Sequence, residues 1–131
     1  MESLVLPDSN FYINCARAGL DPFIELGAHA EEYEFATCGM IVIEVCRGRS
    51  NPVILQRFRE RFAIMPFIAA GASVWEQATQ LAWSLDRRGI VLPATDLLIA
   101  ACALQAKAAV LTADQHFSEI PGLQVMERLP E

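Results

Sequence analysis

Short apolar segments with strand character alternate with helical segments along the chain, and this alternation limits the possible folds more than any other feature. The strand-like segments are residues 3–6, 34–37, 63–67, 109–112 and 123–128. The helical segments between them are residues 10–17, 22–32, 40–47, 52–61, 73–88 and 96–107, with a short helical turn at 114–120. Strands that alternate with helices in this way form a parallel sheet covered by helices on both faces. The chain is therefore predicted to have an α/β fold.

Several residues predict where individual helices begin. Asp21 and Asn51 each precede a proline, a pair in which the first residue caps a helix and the proline takes its first position. Ser73 opens a Ser-x-x-Glu sequence with capping-box spacing. Thr95 is placed to cap a helix that starts at Asp96. These residues predict the starts of four helices.

The size and hydrophobicity of the chain indicate one folded unit. Its 131 residues are 53% hydrophobic, with a mean hydropathy of +0.30, which excludes disorder and suggests a single domain over residues 1–131. The opening Met1-Glu2-Ser3 has neither the basic stretch nor the apolar core of an export signal. The longest apolar runs are far shorter than the ~20 residues that a membrane span needs. We therefore expect a cytoplasmic protein with no membrane partner.

Cysteine, histidine and charge counts exclude some classes of function. The four cysteines form no C-x-x-C pair and there are only two histidines, His29 and His116, so we expect no zinc site. The net charge of −6 argues against a protein that coats nucleic acid, which would carry a basic surface. It does not exclude a nuclease, because carboxylates at a metal site count as negative charge until the metal binds.

Four acidic residues stand out by their positions. Asp8 directly follows the first predicted strand and Asp114 follows the fourth. Parallel sheets bind ligands beyond the carboxyl ends of their strands, so these two side chains converge if the two strands are neighbours. Glu44 and Asp96 lie in strongly apolar segments, where an ionised carboxylate is costly unless it is paired, capped or bound to a metal. Each acid also has a simpler interpretation, as a turn residue, a cap or part of a solvated helix face.

Taken together, four sequence blocks around these acids resemble the motifs of PIN-domain nucleases. The blocks are LPDSN at 6–10, VIEV at 42–45, ATDLLIAA at 94–101 and LTADQHF at 111–117. Their order and spacing cover nearly the whole chain, and the last two are the most specific. The size and motif style are similar to the toxin half of prokaryotic VapBC-type toxin–antitoxin pairs.

The resemblance implies a three-layer α/β/α sandwich with a central five-stranded parallel sheet and a metal site at one edge. It implies that Asp8, Glu44, Asp96 and Asp114 bind Mg²⁺ or Mn²⁺. Two neighbouring hydroxyl groups, those of Ser9 and Thr112, would support the pocket. Hard divalent cations prefer carboxylate and water oxygens, which agrees with these residue types. The implied activity is hydrolysis of RNA phosphodiester bonds by the toxin of a type II pair, with an antitoxin as partner.

Other residues suggest contacts beyond the metal. Arg47 and Arg49 follow Glu44 closely and are candidates for contact with RNA phosphates. The arginines between residues 57 and 61 are interleaved with a glutamate, which favours a solvated helix face. Trp75 and Trp83 are eight residues apart on one helix face, for which core packing is favoured over a partner-binding stripe.

The remaining expectations concern His116 and the partners. We expect His116 to be a surface residue beside the site rather than a ligand. The high hydrophobic fraction predicts exposed apolar helices, and hence a homodimer together with a groove that an antitoxin segment fills.

Three alternative functions stay open on sequence grounds. The first is an RNA-processing enzyme of the same fold without an antitoxin. The second is a non-catalytic binding module, although such a protein has no need for all four acids. The third is a phosphoacceptor receiver-like domain, which also carries acids at strand ends. A receiver would need an acidic neighbour for Asp8 and a lysine after the last strand, whereas the only lysine, Lys107, precedes the fourth strand.

Overall fold

The computed structural model of the protein describes residues 3–131, where six short strands are interspersed with six helices. The strands are β1 Ser3–Pro7, β2 Tyr33–Phe35, β3 Thr37–Cys38, β4 Phe67–Ile68, β5 Ala109–Leu111 and β6 Val125–Met126. The helices are α1 Ser9–Arg17, α2 Pro22–Gly27, α3 Gly39–Arg47, α4 Pro52–Ala63, α5 Ala72–Arg87 and α6 Ala94–Ala106, and a 3₁₀ turn spans Gln115–Glu119. The predicted α/β architecture is confirmed.

The central sheet is parallel throughout, but it has four strands rather than the predicted five. Its order is β2-β1-β5-β6, while β3 and β4 form a separate parallel pair. Only Ala36 separates β2 from β3, and its backbone N–H donates to the carbonyl of Val5 at 2.8 Å. Beyond this residue the chain leaves β1 and pairs with β4. The strand predicted at 63–67 is wrong in position: α4 continues through Ala63, and β4 begins only at Phe67.

Helix α6 forms the centre of the packing. All seven of its residues from Leu97 to Ala103 are buried, and it packs mainly against α5 and also against α3 and β5. A helix that is apolar on all sides is stable only when it is covered on all sides. Its burial fixes the position of Asp96 in its first turn. The helix thus anchors one of the predicted site residues to the core.

Two of the predicted helix caps are confirmed and two are wrong. The carboxylate of Asp21 accepts from the backbone N–H of Phe23 at 2.9 Å, and the Asn51 side chain accepts from that of Val53 at 2.9 Å. Helix α5 begins earlier than predicted, after Gly71, and α6 begins after Pro93. Neither of these helices has a side-chain cap, so the predicted roles of Ser73 and Thr95 are not observed. Helix α2 also ends at residue 27, well before the predicted 32.

The prediction that Trp75 and Trp83 pack in the core is wrong. Their side chains are 54% and 60% exposed, whereas Val74 and Leu85 on the same helix are buried. Helix α5 has two apolar faces, and the one that contacts α6 carries the smaller aliphatic side chains. The tryptophan face is left to the solvent, with the Arg87 guanidinium 5.0 Å from the Trp83 ring centroid. Within residues 3–131, none of the helices has the length and apolar character needed to cross a membrane.

Candidate metal centre

The neighbouring strands β1 and β5 end at the same edge of the sheet, which brings their following residues together. The backbone N–H of Asp8, directly after β1, donates to the carbonyl of Leu111 at the end of β5, at 2.9 Å. The next residue along from β5 is Thr112. Asp8 and Asp114 were expected to converge if their two strands were neighbours. Strands β1 and β5 are paired, so this condition is met.

The Thr112 hydroxyl connects the ends of the two strands. It donates to Asp8 Oδ2 at 3.1 Å and accepts from the Asn10 side-chain amide at 3.0 Å. It also accepts from the backbone N–H of Asp114 at 3.0 Å. Thr112 is buried, and every hydrogen-bonding capacity of its hydroxyl is used. The residue therefore holds Asp8 and Asp114 in fixed relation to each other, which a strand residue chosen only for its branched shape would not do.

Asp8 is an acid in a nearly dry environment. Its side chain is 4% exposed. Burial raises the pKa of this carboxyl from 3.8 to about 6, and the negative charges of Asp96 and Glu44 act in the same direction. Hydrogen bonds from Ser9 and Thr112 lower the pKa without cancelling the effect of burial. The negative charge at Asp8 is thus poorly compensated by the protein.

Glu44 faces the same region from helix α3. Ile41 and Val45, which flank Glu44 on this helix, are buried, and burial raises the pKa of the Glu44 carboxyl. The neighbouring Ser9 hydroxyl lowers this pKa, while the charge of Asp96 raises it. One carboxylate oxygen, Oε1, is buried without a hydrogen-bond partner among residues 3–131. This environment differs from the solvated helix face that was the simpler interpretation of Glu44.

Asp96 and Asp114 form the most compact part of the cluster, together with His116. His116 Nδ1 lies 3.0 Å from Asp96 Oδ2 and 3.3 Å from Asp114 Oδ1. One potential ligand atom from each of the three residues lies within 4.8 Å of the other two. Burial raises the pKa of Asp96, and the hydrogen bond to Asp96 raises that of His116. Asp114 also caps the 3₁₀ turn by accepting from the backbone N–H of His116 at 2.9 Å.

Asp96 interacts electrostatically with each of the other three acids. Its charge raises the pKa of both Asp8 and Glu44, and the charge of Asp114 raises the pKa of Asp96 in turn. Asp8 and Glu44 lie outside the compact group that Asp96 forms with Asp114. The structure therefore brings all four predicted residues to one edge of the sheet. Their role as metal ligands remains a prediction.

The two arginines after Glu44 have different environments. Arg47 is exposed, and its charge lowers the pKa of Glu44, so it lies close enough to influence the cluster. Arg49 is partly buried, with its guanidinium 5.5 Å from the Phe58 ring centroid. Arg47 is the better placed of the two to meet a phosphate. The arginines of α4 are exposed as predicted, and one of them, Arg57, forms an ion pair with the carboxylate of Asp21.

Comparison with known proteins places this arrangement in a family. Residues 5–123 match the PIN domain. The chain belongs to the PIN domain family. Membership of this family supports the assignment of the chain as a nuclease, which the sequence resemblance implied. No curated protein sequence matches the chain.

Solved structures of toxin–antitoxin systems share the fold of this PIN domain. VapBC2 from Rickettsia felis, bound to a DNA fragment from its promoter, is 20% identical with a TM-score of 0.79, over 94% of this chain and 97% of the other. VapBC-1 from nontypeable Haemophilus influenzae is 18% identical with a TM-score of 0.77, over 94% and 96%. FitAcB from Neisseria gonorrhoeae is 19% identical with a TM-score of 0.72, over 94% and 96%. At these identities the likeness establishes the fold alone.

The sequence did not identify two residues of this PIN domain as part of the site. One contacts Thr112 and the other contacts two of the acids. Asn10 donates to Thr112 from the first turn of α1, and His116 lies between the carboxylates of Asp96 and Asp114. Both follow an aspartate of the cluster by two residues, and this spacing is the only signal in the sequence that could have indicated them. His116 was expected to be a surface residue beside the site rather than a ligand, and it is exposed. Its ring contacts two of the acids directly.

Proposed function

We propose that this PIN domain is a metal-dependent ribonuclease that hydrolyses RNA phosphodiester bonds, and that it is the toxin of a type II toxin–antitoxin pair. The observation that carries the proposal is the convergence of Asp8, Glu44, Asp96 and Asp114 at one edge of the sheet. Burial raises the pKa of three of them, so the cluster holds negative charge that the protein itself does not neutralise. Such perturbed groups are concentrated at functional sites.

The donor set fits a hard divalent cation. The four carboxylates supply the oxygen ligands that Mg²⁺ and Mn²⁺ prefer, and the unpartnered Glu44 Oε1 is a buried acceptor without a donor among the described residues. A cation held by these four side chains would neutralise charge on the phosphate and lower the pKa of a water molecule for in-line attack. The proposed cofactor is therefore Mg²⁺ or Mn²⁺.

The chain's own residues would position the reacting groups. Thr112 fixes the Asp8 carboxylate through its hydroxyl and fixes the start of the turn that carries Asp114. Ser9 lies beside Glu44 and favours its ionised form. Arg47 is the exposed cation nearest in sequence to the cluster and is proposed to bind a phosphate of the RNA. Pre-positioned groups of this kind reduce the entropy that the reaction must lose.

We also propose an antitoxin and a second copy of the chain as protein partners. The relatives in the solved structures are described as VapBC or Fit systems, several of them bound to DNA. An apolar groove of about 400 Å³ lies between α2, β2 and the end of α4. Ile64, which lines the groove, is 77% exposed, and this suits a hydrophobic antitoxin segment. The dimer is testable by light scattering over micromolar concentrations, where a monomer throughout would contradict it.

Cleavage of defined RNAs tests the enzymatic part of the proposal. Purified protein is incubated with single-stranded RNA, hairpin RNA and DNA of the same sequence, in Mn²⁺ or Mg²⁺ and again in EDTA. We expect cleavage of RNA only, abolished by EDTA. Cleavage that survives EDTA would contradict the metal site, and binding of RNA without cleavage would indicate a non-catalytic module.

Expression and gene context test the toxin assignment. Strong expression of the chain should arrest growth of the host, and co-expression of a small open reading frame adjoining its gene should restore it. Cleavage of RNA without growth arrest would instead favour an RNA-processing enzyme that has no antitoxin.

A further inference from the structure

His116 is held in the acidic cluster by two contacts of its imidazole and one of its backbone. Its Nδ1 lies 3.0 Å from Asp96 Oδ2 and 3.3 Å from Asp114 Oδ1, and its backbone N–H donates to Asp114 Oδ1 at 2.9 Å. The next residue, Phe117, is fully buried and anchors the turn to the core. The ring is half exposed but lies on the side of the turn that faces α6. Its nitrogen is therefore positioned before any ligand binds.

The separations of these three atoms suit coordination to one cation. Two neighbouring ligands of an octahedral ion with bonds of about 2.1 Å are about 3.0 Å apart. The distances from Nδ1 to the two carboxylate oxygens are 3.0 Å and 3.3 Å. The ion would replace the Nδ1 contacts, but the turn that carries the ring is held by the burial of Phe117 and by the hydrogen bond from the His116 backbone N–H to Asp114. Little conformational freedom is therefore lost when an ion binds.

We infer that His116 supplies a nitrogen ligand to the divalent cation of this site and thereby makes the site prefer Mn²⁺ over Mg²⁺. The inference rests on the proposed function, since it takes Asp96 and Asp114 as ligands of the same ion. Imidazole binds first-row transition metals well, whereas Mg²⁺ strongly prefers oxygen. A site with four carboxylates alone would distinguish the two ions much less.

Pulsed electron paramagnetic resonance of bound Mn²⁺ tests the ligand directly, without reference to activity. A histidine nitrogen bound to Mn²⁺ produces a ¹⁴N modulation, which changes to a ¹⁵N pattern when the protein carries ¹⁵N-histidine. The chain has only one other histidine, His29, so His29→Gln leaves His116 as the sole histidine that labelling can report. We expect the labelled nitrogen signal in wild type and His29→Gln, and its loss in His116→Gln.

Titration calorimetry with Mn²⁺ and with Mg²⁺ measures the predicted preference. We expect His116→Gln to weaken Mn²⁺ binding by at least the roughly 10–100-fold that loss of an outer partner of a metal site typically costs. Mg²⁺ binding should change much less, and His29→Gln should resemble wild type for both ions. Far-ultraviolet circular dichroism establishes that each variant is folded. The resonance measurement on labelled His29→Gln, where His116 is the sole histidine, does not need the His116 variant, so it decides the matter if His116→Gln does not fold.

The possible outcomes separate this inference from the proposed function. Mn²⁺ bound to wild type and lost in Asp96→Asn, but without a histidine signal, would overturn the role of His116 and leave the carboxylate site intact. An equal loss of Mn²⁺ and Mg²⁺ affinity in His116→Gln would overturn the predicted preference. Failure of wild type to bind either ion would contradict the proposed metal site itself.

Discussion

Replacement of Asp8 by asparagine should stabilise the metal-free protein at neutral pH. Burial raises the pKa of Asp8 from 3.8 to about 6 in the folded state, so the folded protein binds this proton more tightly than the unfolded chain does. The contribution of Asp8 to the unfolding free energy therefore falls as pH rises from about 4 to about 6, and it is lowest above that range. The negative charge is the unfavourable feature of this position, and the neutral amide of asparagine removes it while keeping the size of the side chain.

The size of the effect follows from the two pKa values. Each pH unit between them corresponds to about 1.4 kcal/mol, so ionised Asp8 destabilises the metal-free fold by about 3 kcal/mol at a pH of about 7.5. About half of this remains at a pH of about 5, where the folded-state carboxyl is already largely protonated. The gain in the asparagine variant has this value as its upper limit, because the amide must also be removed from water.

Urea unfolding in EDTA at pH values of about 7.5 and about 5 measures the predicted difference. Asp8→Asn should be more stable than wild type at the higher pH, and its advantage should shrink by about 1.4 kcal/mol at the lower one. The exposed Asp86 of α5 provides a matched control, and Asp86→Asn should differ from wild type by no more than about 0.5 kcal/mol at either pH. An Asp8→Asn protein that is less stable than wild type, or whose advantage does not depend on pH, would refute the reasoning.

Three further predictions concern the metal, the exposed tryptophans and the RNA contact. At a concentration about 100 times its dissociation constant, Mn²⁺ should stabilise wild type by about 2.7 kcal/mol in thermal or urea unfolding, and Asp96→Asn should lose most of that gain. An unchanged response in the variant would mean that Asp96 only stabilises the N-terminus of α6. The double replacement Trp75→Ala and Trp83→Ala should change the unfolding free energy of the monomer by about 1 kcal/mol at most. Leu85→Ala, on the buried face, should reduce it by about 2–5 kcal/mol. A similar loss of stability in the two proteins would contradict the exposure of the tryptophans. Arg47→Ala should raise the KM for RNA and reduce the salt dependence of binding by about 0.7 in the log–log slope, and an unchanged slope would exclude a phosphate contact.

Much of the fold could be predicted because it depends on local sequence signals. The alternation of strand-like and helical segments indicated the parallel sheet, and the cap-plus-proline pairs at Asp21 and Asn51 placed two helix starts correctly. The adjacency of β1 and β5 was stated only as a condition, since strand order depends on long-range pairing. Once that pairing exists, the position of Asp8 directly after its strand fixes where its carboxylate lies.

Other features depend on packing that a single sequence does not specify. The spacing of Trp75 and Trp83 placed both on one face of α5, but only the contact with α6 determines that Val74 and Leu85 face inward while the tryptophans face the solvent. The apolar segment at 63–67 was predicted as a strand, but α4 extends through Ala63 and β4 begins only at Phe67. The contact of His116 with Asp96 joins residues twenty positions apart, so it becomes visible only in three dimensions.

The rate of single-turnover RNA cleavage in Mn²⁺, measured for one substitution at each acid, tests the four-carboxylate site most directly. The variants are Asp8→Asn, Glu44→Gln, Asp96→Asn and Asp114→Asn, with Asp86→Asn as control. Each of the four should lose more than the roughly 10–100-fold that removal of an outer partner of a metal site typically costs, and the control should cleave at the wild-type rate. Any of the four cleaving RNA as fast as the control would contradict its assignment as a metal ligand, and full activity in all four would contradict the proposed centre altogether.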